Sequence, residues 1–152
     1  MANPDSVAQY YLDAFGNGRI AYQSAINLNS TGNAVVTIPI LSGGLTKGAT
    51  VGSSGGIIVR RVTVNNPSGT VASANISITT SNDGNTSNAV VASVVLSGVS
   101  GAGTFQDLTV ASPFTGNVVS GLNTQALYVN VNTASGNSNT VSIAVYGDVV
   151  TF

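Results

Sequence analysis

The stretch I57-I-V-R-R-V-T-V-N-N66 decides how this chain folds. Its Ile, Val and Thr content is that of a β-strand. Side chains of a strand alternate between its two faces. In a regular strand, Ile58, Arg60, Val62 and Val64 share one face, and Ile57, Val59, Arg61, Thr63 and Asn65 share the other. One arginine would then enter the core, and an unpaired buried charge costs several kcal/mol, on the order of 3–5. A β-bulge at 60–61 removes the conflict, because one extra residue restores the inward phase after it. Ile57, Val59, Val62 and Val64 would then face the core and both guanidinium groups the surface or a subunit interface, with Asp107 or Asp148 as partners.

The same alternation spreads outward from this stretch. Candidate strands cover 20–28, 33–40, 57–65, 70–80, 88–97, 104–110, 125–133 and 139–150. Between them lie clusters of Gly, Asn, Asp, Ser and Pro, such as NNPSG, SNDGNTSN and TASGNSN, which supply turn conformations. Asn82–Asp83–Gly84 reads as a hairpin turn. Eight strands with no helical crossover predict an all-β antiparallel sandwich, a jelly roll in first place and an immunoglobulin-like sandwich second. The domain is expected over 20–152, preceded by a distinct segment over 1–19.

That first segment holds Tyr10, Tyr11, Phe15 and Arg19. A short helix from about residue 5 fits its spacing, with the glycines of GNG at 16–18 as the stop. Three readings stand side by side: packing on its own domain, an arm docking on another subunit, or disorder. Most of the nine Tyr and Phe residues can be placed in core positions, with Tyr10, Tyr11 and Tyr22 as the candidates for exposure.

Composition narrows the function. Of 152 residues only 6% are charged, against roughly 25% in an ordinary soluble domain. There is one Lys and there are three Arg, no basic tail, and a net charge of −1, so no nucleic-acid partner is expected. No run of apolar residues is long enough for a membrane helix, and no membrane partner is expected. The start shows no basic segment followed by an apolar one, the pattern of a secretory signal. With no His or Cys, a serine nucleophile lacks its usual base and a metal its usual ligands. The five Asp are scattered, SNDGNTSN fails the spacing of a calcium loop, and GVSGAG at 98–103 is not followed by the Lys-Ser/Thr of a phosphate cradle. The chain therefore reads as a non-enzyme without catalytic residues, metal or cofactor, which acts by binding.

The stretches IIVRRVTVNNPSGTVASANISITTSNDGN (57–85) and ALYVNVNTASGNSNTVSIAVYGDVV (126–150) resemble small jelly-roll virion proteins of tailed bacteriophages, of the capsid decoration or cement type. The resemblance lies in composition and texture over about residues 20–152, with no invariant motif. It implies a structural protein assembled in the host cytoplasm and seated on the virion surface, a homo-oligomer with a trimer favoured, and the major capsid protein as partner. The alternative is a tail-fibre or baseplate component, or a cell-surface receptor- or glycan-binding module using Tyr10, Tyr11 and Tyr22. Tyr10, Tyr11, Phe15, Arg19, Arg60, Arg61, Asp107 and Asp148 are the expected interface residues.

Overall fold

The structure, a computed structural model, describes residues 18–40, 55–111, 118–120 and 126–151. The expected segment 1–19 lies outside them up to residue 17; Gly18 and Arg19 belong to the first strand. Among the described residues nine strands follow one another: β1 Gly18–Asn27, β2 Gly32–Pro39, β3 Gly55–Asn65, β4 Asn75–Thr79, β5 Ala89–Val95, β6 Gln106–Leu108, β7 Val118–Ser120, β8 Ala126–Thr133 and β9 Thr140–Thr151. A 3-10 turn, Thr86–Asn88, leads into β5.

The strand pairing is nested. β1 pairs β9, β2 pairs β8, β3 pairs β6 and β7, and β4 pairs β5, all antiparallel. This is the pairing of one long hairpin. Rolling that hairpin up brings β3 beside β9 and β4 beside β8. The result is two sheets, A in the order β1-β9-β3-β6 with β7 also on β3, and B in the order β2-β8-β4-β5. β7 binds Gly56–Ile58 and β6 binds Val62–Val64, so the two short strands share one edge position. Counted that way the molecule is an eight-position sandwich with jelly-roll order.

The core lies between the sheets. Sheet A contributes Ile57, Val59, Val62 and Val64 from β3 and Val141, Ile143 and Val145 from β9. Sheet B contributes Leu127, Val129 and Val131 from β8 and Ile76 and Ile78 from β4. Each such side chain adds about 1.5–3 kcal/mol when fully buried. Among the described residues this core cluster is aliphatic, and Tyr10, Tyr11, Phe15, Phe114 and Phe152 lie outside the described residues. The described aromatics stand outside it: Tyr22 and Tyr146 are half-buried, Tyr128 is buried but outside the core cluster, and Phe105 is exposed.

Other strand expectations need correction. The segment expected as strand over 70–80 is strand only from Asn75. Ahead of it, Val71–Ala74 makes a tight turn, Ala74 N–H donating to Val71 O, and inserts Val71 and Ala74 into the core. The strand expected over 104–110 is reduced to Gln106–Leu108, and β7 had no counterpart among the expected strands.

The rim strands are irregular. β1 and β2 carry register shifts, and Ala25 and Ala34 adopt φ of 54° and 48° there. On β8, buried Asn130 fastens the second of these: its Oδ1 accepts from Ala34 N–H at 2.7 Å, and its amide donates to Thr79 Oγ1 at 2.9 Å. Such kinks stop an edge from templating another strand. Pro39 closes the paired part of edge strand β2.

Candidate interaction face

The bulge expected at 60–61 is present. Val59 pairs with Gly147 and Arg61 with Tyr146, so Arg60 and Arg61 together face one residue of β9. Ile57, Val59, Val62 and Val64 are at most 1% exposed, whereas Arg60 lies in the open and Arg61 is half-buried. Gly147 is what lets the bulge form. A Cβ there would collide with the carbonyl oxygen of Ile58.

Both expected partners are used, one per arginine. Arg61 grips Asp107 through two parallel bonds, Nε to Oδ1 at 3.0 Å and Nη2 to Oδ2 at 2.8 Å. The Thr63 hydroxyl also donates to Asp107 Oδ1, at 2.7 Å. Arg60 meets Asp148 through Nε alone, at 3.2 Å from Oδ2. The strand pairs Thr63–Asp107 and Ile58–Asp148 place both carboxylates on β3's flanks, β6 on one side and β9 on the other.

Arg19 joins the same surface. It stands opposite Tyr146 on β9, which stands opposite Arg61 on β3, so the three share the outer face of sheet A. Its guanidinium lies 4.2 Å from the centroid of the Tyr22 ring, a cation–π contact that covers one face of the ring. Tyr22 Oη in turn reaches Ser142 Oγ at 3.4 Å. Beneath these larger side chains, Ser142, Ala144 and Thr63 form a close-packed floor, each no more than 6% exposed. Tyr10, Tyr11 and Phe15 lie outside the described residues.

All three arginines of the chain thus occupy one face, with Asp148 on β9 beside Arg60 and Asp107 on the outer strand β6 beside Arg61. Among the described residues, the remaining ionised side chain is Asp83, in the β4–β5 connection. There the Ser81 hydroxyl and Asn85 N–H both donate to its Oδ1 and hold the carboxyl below the ordinary carboxylate range. By contrast the outer face of sheet B is uncharged: Asn75 Oδ1 accepts from Ser93 Oγ at 2.7 Å and from Asn132 Nδ2 at 3.1 Å.

Tyr146 and Gly147 were not among the expected site residues. A glycine inside the alternating run TVSIAVYGDVV is the mark of a bulge or a close backbone approach, and it was the available signal. Among the described residues, no three His, Cys, Asp or Glu side chains gather as a metal site, and no helix is long and apolar enough to cross a membrane. No family model, curated protein or solved structure matches the chain.

Proposed function

We propose that this chain is a structural protein of a virion, a decoration protein that binds the head of a tailed phage as a homotrimer and holds capsomers together. The observation that carries this reading is the concentration of charge: on a jelly roll with an otherwise Ser-, Thr- and Asn-rich surface, the described arginines and all described aspartates but Asp83 gather on the outer face of sheet A. A surface of that kind supports association by shape, with a few directed ionic contacts fixing the orientation. The extreme economy of charge elsewhere suits a protein that has to stay bound through changes of salt and pH outside a cell.

The test is reconstitution. Phage heads assembled without this chain are mixed with the purified protein, sedimented, and heated until they release DNA. The expected outcome is saturable binding at stoichiometric density and release at a higher temperature than for bare heads. Heads that sediment without the protein overturn the proposal, as does binding that leaves the release temperature unchanged.

A further inference from the structure

The two arginines of the bulge do different work. Arg61 is closed: both ends of its fork lie on Asp107, which the Thr63 hydroxyl also holds. Its side chain is 21% exposed. Arg60 is open. Among the described residues its one polar contact is Nε to Asp148 Oδ2, and the two side chains are 44% and 51% exposed. Both terminal nitrogens of Arg60 and the Oδ1 of Asp148 are therefore left for something else. An unused donor fork stands directly beside an unused acceptor.

We propose that the Arg60–Asp148 pair is a self-association contact, and that its occupant is a second copy of this chain. The argument is charge complementarity. An acidic partner would be drawn to Arg60 and repelled by Asp148, and a basic partner the reverse. A partner that presents the same adjacent pair satisfies both at once. In a closed assembly the Arg60 fork of each copy takes the Asp148 Oδ1 of the next, giving a ring of alternating charge around the symmetry axis. Single exposed ion pairs contribute little, but alternating networks contribute more. The bulge is what places the pair there, since it turns Arg60 outward beside the strand that carries Asp148.

This inference rests on reading the outer face of sheet A as the interaction face, and its test separates the two. Arg60→Asp and Asp148→Arg are made singly and together, with Asp83→Asn in the β4–β5 connection as a control, and association is followed by sedimentation equilibrium at low and high salt. The wild type is expected to associate, and each single reversal to weaken association by at least about tenfold. The double variant is expected to recover it, because the swapped pair restores opposite charges at every contact of a closed ring. Asp83→Asn removes the one described charge off this face and is expected to leave association intact. A monomeric wild type, single reversals that associate like the wild type, or a double variant that stays apart each overturn the contact. Head binding is measured separately: self-association without head binding sinks the virion reading and leaves this one standing, and head binding by a chain that fails the charge-swap test does the converse.

Discussion

Gly147 controls the bulge more tightly than either arginine does. It pairs with Val59 on one side and Gly18 on the other, and the backbone of β3 comes so close that a Cβ would meet both the Ile58 carbonyl and Arg60 N. The obstructing atoms are backbone, so no rotamer change relieves them. Gly147→Ala is expected to cost about 3 kcal/mol, the upper range for overpacking, and to lower the melting temperature by about 10 °C in a chain of this size. Urea denaturation followed by circular dichroism reads it, and a loss below about 0.5 kcal/mol would show that the bulge does not need the glycine. The residue-scale reading of the sequence succeeded at Arg60 and Arg61 because burial of a charge is so costly that only one backbone geometry fits. It succeeded for Asp107 and Asp148 because few acidic residues lie within strands. It misassigned Arg19 to the leading segment, where the aromatic composition hid the first two residues of β1.

At the scale of elements, the outer edge of β5 shows how the sandwich protects itself without lysines. Near one end, Val90 O accepts from Ala111 N–H at 2.8 Å. At the other, the Gln106 side chain acts as a substitute peptide: Nε2 donates to Val95 O at 3.0 Å and Oε1 accepts from Gly98 N–H at 2.8 Å. Val95 and Phe105, the large apolar side chains most exposed among the described residues, adjoin this cap in sequence. Gln106→Leu strips both bonds and is expected to destabilise by about 1–3 kcal/mol, the usual cost of leaving such groups unpaired. It should also lower the temperature at which light scattering rises on heating, because an uncapped apolar edge templates further strands. Unchanged scattering would mean that Gln106 has no part in edge protection. Long alternating strands such as β8 and β9 were legible from period alone. The errors came where the same residue types serve another end. T70-V-A-S-A74 alternates like a strand, yet its Val and Ala are a turn's plugs into the core. β7, at three residues, is too short to carry a period at all.

The whole molecule is an aliphatic double sheet on which ionisation plays a small, localised part, and this fixes how its stability follows pH. With no His and no Cys, the α-amino group is the only kind of group whose ordinary titration falls between pH 5 and 9. The melting temperature is therefore expected to be nearly flat across that interval. In acid the sign is set by Asp83, whose carboxyl is held below its ordinary value of 3.8, chiefly by the Ser81 hydroxyl and then by Asn85 N–H. A depressed folded-state value means the unfolded chain takes up the proton first. The stability from this turn is then complete above pH 3.8 or so, and is lost as pH falls through the lower folded value. Asp83→Asn keeps an acceptor oxygen for both donors but cannot titrate. Its melting temperature should fall less steeply between pH 4 and pH 2 than that of the wild type, with the two curves running parallel from pH 5 to 9. A thermal series over pH 2–9 decides the matter: identical acid limbs would remove Asp83 from the account, and a step near neutrality would contradict the picture of a sandwich whose folding is insensitive to charge.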